Sequence, residues 1–413
     1  MLQPADAELV RRRPDVPELG AVLDPAALDE LVAGLLPDGL PRPAAVRAAR
    51  VRLAAGATAE LTVDHPAGRH VLGLRAPAAT RENPADTGGA EGPAPDATAG
   101  LAPPGWPGLL SDPGSGVTVT APTHDPALSA ILRVAGSPAA YGGPGAATLH
   151  TLRFRQGERW TGRIDDAEGR PLAAVRCRPG GVNVAAHIAL AAAGIAVPDL
   201  IRVNRFGVVS TAWLEGDLAT ARDGDDVLAG IGELLARVHA VPPPRELPAP
   251  GRGEAAGAER AAQAVGRLLP KAAQRAAGLA RACAPGPEDG PAVLSVGGAP
   301  GGYVATARGV ALLHPGRARA AHPATDLAAA AAARIAAGAA TAGGGAEAAL
   351  GPLWEGYRAA ADPGFVEAVR PALSRATAGA LLRIAHAPFA SRSPDWPERI
   401  GALLGDAEAL LMD

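Results

Sequence analysis

Four glycines, Gly297, Gly298, Gly301 and Gly302, stand close enough to cradle a phosphate through backbone N–H groups. No Lys-Ser/Thr pair follows them, which favours a flexible turn between two strands. His314 could ligate a transition metal. Its nearest second histidine is His322 and no carboxylate stands close in sequence, so an ordinary cleft or surface histidine is favoured. Arg176 could hold phosphate, because a guanidinium presents paired donors to it. Asp326 heads an alanine-rich run from Leu327 and reads as a cap-like structural carboxylate. Cys177 and Cys283 lie in no CxxC and no zinc spacing, which fits a reduced, intracellular protein. The run Arg11-Arg12-Arg13 reads as a solvated patch.

The composition narrows the choice. The chain has 413 residues, a length for two or three modules. Hydrophobic residues make up 48%, enough for a large core, and 52 glycines and 41 prolines imply many turns. The net charge of -3 argues against bulk nucleic acid or an anionic membrane as partner. The start has no basic and apolar leader pattern, and no apolar run reaches spanning length, so a cytoplasmic location is expected. Lys271 is the single lysine among 39 basic residues. Genomic bias can turn a surface lysine into arginine, but it should not remove a lysine that chemistry requires, because the two side chains are not interchangeable.

These residues need elements to position them. Breakers stand at about 76–107, where only Leu101 and Trp106 are large and apolar, and at 242–257, 284–291 and 338–345. Residues 24–36 predict a helix capped by Asp24 with Pro25 at its first position and Leu28, Leu31, Leu35 and Leu36 on its apolar face. Residues 51–75 and 149–178 each predict strand, turn, strand, turn, strand. In the second, Trp160, Gly162 and Ile164 alternate with Arg159, Thr161 and Arg163. A helix over 184–193 stops at Gly194, strands follow at 200–204 and 207–211, and an amphipathic helix runs over 226–239. Beyond 258 the pattern is helical, except a strand-turn-strand at 292–313.

The two three-stranded segments match each other under an ungapped shift of 101 residues. Arg52 falls on Arg153, Gly56 on Gly157, Asp64 on Asp165, Gly68 on Gly169 and Arg75 on Arg176. Leu53, Val63 and Val71 fall on Phe154, Ile164 and Leu172. An internal repeat of two β-meanders is expected. The class is α+β, a β-rich part followed by a mostly α part.

From about Leu149 onward, roughly two-thirds of the chain, an ordered series of segments resembles the aminoglycoside phosphotransferase-like kinases. Arg153-Phe154-Arg155 with Gly157-Glu158-Arg159 resembles their first N-lobe hairpin. The segments 191–198, 213–216 and 231–239 resemble the exit from the N-lobe helix, the inter-lobe hinge and the helix after it. His322-Pro323-Ala324-Thr325-Asp326-Leu327-Ala328 resembles the segment that opens the next helix, which implies for Asp326 a structural carboxylate near the loop, with the cap-like role favoured over it. The extra N-terminal part resembles the cap of maltokinase-like members. The resemblance implies a two-lobed protein-kinase-like fold, with a cap-like module over 1–148, an N-lobe and hinge over 149–216 and a helical C-lobe over 217–413.

Such kinases need a lysine on the third strand, an aspartate and an asparagine in an H-G-D-x-x-x-x-N loop, and a second metal-binding aspartate after a short strand. Laid on this chain, the histidine position holds Val296, the catalytic aspartate position Gly298, the asparagine position Tyr303 and the metal aspartate position His314. The lysine position holds Val175 or Arg176, and Lys271 lies in the helical insert. A general base alone contributes about 10²–10⁴-fold in rate. The expectation is a degenerate, pseudokinase-type binding or scaffold protein with no catalytic residue and no metal. The alternative is an active phosphotransferase that uses Arg176 and His314 to phosphorylate a hydroxyl of a small molecule or peptide with ATP. No cofactor is expected beyond ATP held without turnover. Arg176, Trp213, Leu214 and Glu215 are the expected nucleotide contacts, with core packing favoured for Trp213 over an adenine platform. For Arg176, the matching Arg75 supports a shared structural or solvated role, and both readings stay open. Expected partners are a protein or peptide, or a small molecule in the inter-lobe cleft.

Overall fold

Alternation of buried and outward residues builds the first strands. In β2 (Ala57–His65), which follows β1 (Ala45–Leu53), Ala57, Ala59, Leu61 and Val63 are buried while Thr58 and Glu60 point out. The structure, a computed structural model, describes residues 1–79, 101–247, 252–284, 291–316 and 318–412. Its chain divides into two compact units. The first takes Met1–Val182, Asp199–Trp213 and Phe389–Pro394; the second takes Asn183–Pro198, Leu214–Pro388 and Asp395–Asp413.

In the first unit, β1, β2, β3 (Gly68–Ala76), β4 (Leu109–Ser111) and β5 (Thr118–Thr120) form an antiparallel sheet of order β1-β2-β3-β5-β4. A second sheet, β6 (Ala146–Arg155), β7 (Arg159–Asp166), β8 (Pro171–Cys177), β9 (Leu200–Val203) and β10 (Val208–Ala212), has the order β6-β7-β8-β10-β9. Both sheets thus run first-second-third-fifth-fourth. Their registers are not copies: Val63 faces Val46, whereas Ile164 faces Leu149 rather than residue 147. Both hairpins carry bulges, at Ala48/Arg50 in the first and at Ala146/Thr148 and Thr151/Arg153 in the second. Residue 148, expected as a domain edge, lies inside β6.

Around the second sheet, Leu101, Leu128, Ile131, Val134 and Tyr141 pack with Phe154, Trp160, Ile164, Val175 and Val208. The Trp160 indole covers Gly162, where a Cβ would meet the ring at 2.3 Å. Its N–H donates to the Thr151 hydroxyl at 3.0 Å. The expected linker is corrected at both ends. Ala76 closes β3, Leu101 and Trp106 are buried, and the Trp106 indole donates to the Pro41 carbonyl. The few apolar residues of that stretch are the ones that find a core; residues 80–100 lie outside the described residues. β4 and β5, which no sequence pattern predicted, complete the first sheet.

The N-terminal helices are Pro4–Arg12, Leu19–Leu23 and Pro25–Leu35. The last starts as expected, with the Asp24 carboxylate accepting from the Ala26 N–H, and buries Leu28 and Val32. The Arg11–Arg13 run is not merely solvated: Arg11 and Arg12 pair with Glu8, and Arg13 with Asp15 at 2.8 Å.

The second unit is mostly helical. Its helices include Ala185–Ala192, Asp225–His239, Ala273–Ala282, Ala324–Ala336, Pro352–Ala360, Pro363–Ile384 and Trp396–Met412. Short strands β11 (Asp217–Leu218), β12 (Val293–Ser295), β13 (Tyr303–Thr306), β14 (Gly309–Leu312) and β15 (Arg319–Ala321) form the sheets β11-β13-β14 and β12-β15. β15 was read as helix; its pairing to β12 overrides its alanine-rich sequence. The helices Asp225–His239 and Pro352–Ala360 approach backbone to backbone. A Cβ on Gly232 would lie 2.0 Å from the Leu353 carbonyl oxygen, and one on Gly356 2.1 Å from that of Ala229. Among the described residues no helix is long and apolar enough to cross a membrane. The observed class is α+β, with antiparallel sheets in the first unit and helices dominating the second.

Candidate functional site

The centre of the second unit is a buried carboxylate. Asp326 stands in the first turn of the helix Ala324–Ala336, yet it does not cap that helix. The cap-like reading is corrected: the side chain turns to the loop that follows β12. Its Oδ1 accepts from the Ser295 hydroxyl (2.7 Å) and the N–H groups of Gly297 (2.8 Å) and Gly298 (3.2 Å). Its Oδ2 accepts from the Val296 N–H (3.0 Å) and from Nε2 of His239 (3.2 Å). Nδ1 of His239 meets the Tyr357 hydroxyl at 2.9 Å. Burial pushes the Asp326 carboxyl upward in pKa, but the His239 bond and charge, the Ser295 hydroxyl and the Val296 amide outweigh it, and the carboxyl lies below its ordinary value. A buried carboxylate stays ionised when donors of this kind saturate its oxygens.

Ser295, His239 and Asp326 are the residue types of a nucleophilic triad, but the connections differ. The Ser295 hydroxyl donates to the carboxylate and not to the imidazole, and it is buried. Among the described residues no imidazole is placed to take its proton. The arrangement fixes a loop.

That loop carries the positions expected for chemistry. Gly298 lies against the helix backbone: a Cβ there would sit 2.0 Å from the Asp326 carbonyl oxygen and 2.5 Å from its carbonyl carbon. An aspartate cannot occupy this position without moving the loop. The amides of residues 296–298 are committed to Asp326, so they do not form a free phosphate cradle. Val296 is buried, as is Tyr303, whose hydroxyl has no hydrogen-bond partner among the described residues. Burial and the nearby Asp326 charge raise the Tyr303 pKa well above its ordinary value. Gly301 and Gly302 form a short turn of 3₁₀ helix before β13.

His314 and His322 each accept a backbone N–H at Nδ1, from Gly316 (3.3 Å) and Ala324 (3.2 Å) respectively. Each thus fastens its own turn. Among the described residues, no three His, Cys, Asp or Glu side chains converge closely enough to hold a metal ion. Lys271 is exposed in the short turn Pro270–Ala272.

The remaining expected residues belong to the first unit or its edge. Val175 is fully buried in the core, so strand alternation puts Arg176 on the other face. Its guanidinium makes no hydrogen bond or ion pair with the described residues. Burial and then Arg178 pull its pKa down to about 10. The matching Arg75 is exposed, so the shared solvated role is corrected. Trp213 is half-buried rather than part of the core, and Glu215 is exposed. The division between the two units falls between Trp213 and Leu214.

The β6–β7 hairpin brings in a residue that sequence reasoning missed. Asp125, buried, accepts from the Gly157 N–H at the hairpin tip (2.5 Å) and from the Ala127 N–H (3.0 Å). Gln156 donates to the Thr120 hydroxyl at 3.0 Å. Glu60 of β2 accepts from the Phe154 N–H (3.2 Å) and from Nε of Arg153 (3.3 Å). The hairpin tip is thereby bonded to the first sheet and the turn after it. His239, Ser295 and Tyr357 were also missed. The one signal was a histidine at the end of an amphipathic helix, paired with a lone aspartate in an alanine-rich one.

No protein-family model matches the chain, and no curated protein matches it. Similar solved structures include a choline/ethanolamine kinase family protein from Mesorhizobium loti, 16% identical over 67% of this chain and 93% of that one, with a TM-score of 0.45. A putative fructosamine-3-kinase from Thermobifida fusca is 17% identical over 68% and 99%, with a TM-score of 0.42. Macrolide 2'-phosphotransferase from Brachybacterium faecium is 18% identical over 67% and 97%, with a TM-score of 0.41.

Proposed function

We propose that this chain is a catalytically degenerate, aminoglycoside-phosphotransferase-like protein that serves as a binding or scaffold module. The observation that carries this reading is Gly298. The position that the kinase motif gives to the catalytic aspartate has no room for a Cβ, because the loop is drawn onto Asp326 by three successive amides. The asparagine position is a buried tyrosine and the metal-aspartate position a histidine tied to its own turn. Phosphoryl transfer depends on positioning and on charge stabilisation of the triphosphate, and these residues supply neither. The β6–β7 hairpin agrees. In the kinase reading it covers phosphates, but here its glycine amide donates to a carboxylate, a poor neighbour for a further anion.

A second reading, nucleotide held without turnover, is favoured by Arg176. A half-buried guanidinium without a carboxylate partner is suited to a phosphate oxygen. A cytoplasmic setting accords with Cys177 and Cys283, two free thiols that burial raises to pKa values of about 12 and about 11.

Thermal stability with ATP, with and without Mg²⁺ or Mn²⁺, and phosphoryl transfer to hydroxyl acceptors test the proposal together. No metal-dependent stabilisation and no transfer are expected. Metal-dependent stabilisation accompanied by turnover would overturn it. Gly298→Asp should lower stability without creating activity.

A further inference from the structure

The second sheet ends in two edges that differ. At one, β6 is engaged: the Phe154 N–H donates to the Glu60 carboxylate, and Gln156 donates to Thr120 of the first sheet. At the other, β9 is the terminal strand and pairs only with β10 among the described residues. We propose that this outer edge docks an extended segment of a partner protein in which acidic and apolar residues alternate, joining the sheet as a sixth strand.

The backbone is the first argument. The Asn204 N–H donates to the Val208 carbonyl, so the alternation of an antiparallel ladder turns the N–H and C=O of Val203 away from β10. Such outward groups are a template for a further strand. The side chains beside them are apolar and open. Ile201 is 38% exposed, Val203 46%, and Phe206, in the turn after β9, 43%. Val203 faces Val209 of β10, whereas Arg202 crosses to the other side of the sheet and lies over the Tyr141 ring at 5.1 Å. An incoming strand of alternating character would set apolar residues beside Val203 and acidic residues beside Arg202.

Charge selects the partner. Arg133 lies over the Phe206 ring at 4.1 Å and Arg205 at 5.0 Å. Arg202 donates to the Ala140 carbonyl at 3.3 Å. All three arginines are exposed, and none pairs with a carboxylate of the described residues. Within 199–206 the single acidic residue is Asp199, just before the strand. Charge on an edge strand normally keeps sheets apart. Here it is of one sign, so it repels a second copy of the same edge and attracts an acidic strand.

Fluorescence anisotropy of a labelled peptide of Val-Glu repeats, titrated with the full chain, tests the edge. Saturable binding is expected, weakened by added salt, at least about tenfold weaker in Arg202→Glu/Arg205→Glu, and absent for Val-Lys repeats. N-methylation of every peptide amide should abolish binding. Methylation of one alternate set should leave it intact, because a strand offers only one of its edges to β9. Circular dichroism verifies folding of the double variant; the methylated peptides, which leave the protein unchanged, decide the question should it unfold. No binding, equal binding of Val-Lys repeats, binding that survives full methylation, or loss with either alternate set would overturn the proposal. So would a dimer in light scattering that Val203→Arg dissociates, which would assign the edge to a second copy. The edge uses neither Arg176 nor the loop at Gly298, so its failure leaves the kinase-derived reading untouched.

Discussion

Asp125 and Asp326 are both buried carboxyl groups that hold glycine turns by their backbone amides, and their pKa values move in opposite directions. Asp326 gathers five donors, including an imidazole, and its pKa falls below the ordinary 3.8. Asp125 gathers two amides, from Gly157 and Ala127; burial wins, and its pKa rises. The comparison teaches that burial alone does not fix the charge of a carboxylate; the number and kind of donors do. It also separates two ways of anchoring a glycine-containing turn. One is anchored by a carboxyl that five donors hold below its ordinary pKa, the other by a carboxyl that burial raises above it.

The sharpest way to break this contrast is to remove the larger anchor. Asp326→Ala leaves His239, Ser295 and three amides without their acceptor, and should cost on the order of 3–5 kcal/mol in chemical denaturation. A loss under about 1 kcal/mol would mean that the network is decorative. Gly298→Ala comes next, at about 1–3 kcal/mol, because its methyl would press on backbone rather than on a yielding side chain. Tyr357→Phe removes one partner of His239 and should cost about 0.5–1.5 kcal/mol.

The pH dependence sharpens the comparison most finely. A depressed carboxyl such as Asp326 stabilises the fold above its ordinary pKa of 3.8, and that contribution is lost as pH falls through the folded value. A raised one such as Asp125 behaves in reverse: its contribution is complete below the unfolded pKa and is lost as pH rises through the folded one. Unfolding followed from pH 7 to pH 3 should therefore show Asp326→Asn closing its gap to the parent as pH falls. Asp125→Asn, the smallest effect, should be nearer the parent at pH 7 than at low pH. Parallel profiles for the two variants would refute the distinction.

Much of this was legible in the residues. The alternation of Trp160, Gly162 and Ile164 with arginine and threonine marked β7, and Asp24-Pro25 marked a helix start, because local chemistry decides both. β4, β5 and β15 were not, because three-residue strands have too little period to read and exist only through their partners. At the site, Val296, Gly298, Tyr303 and His314 could be set against the expected pattern from the residues alone. For Asp326 the resemblance implied a structural carboxylate near the loop, where it is found, but its donors could not be read, since they come from residues up to 87 positions away. Arg176 shows the same limit: its spacing matched Arg75, but only packing separates a half-buried cation from an exposed one.

The paired glycines Gly232 and Gly356 have a consequence for two side chains, those of His239 and Tyr357. His239 and Tyr357 ride on the two helices that these glycines press together, one near the end of its helix and the other immediately after the contact. The separation of imidazole and phenol is thus dictated by two missing methyl groups, and a substituent at either crossing point would act like a spacer slipped between two gear wheels, unmeshing a buried proton chain from outside it.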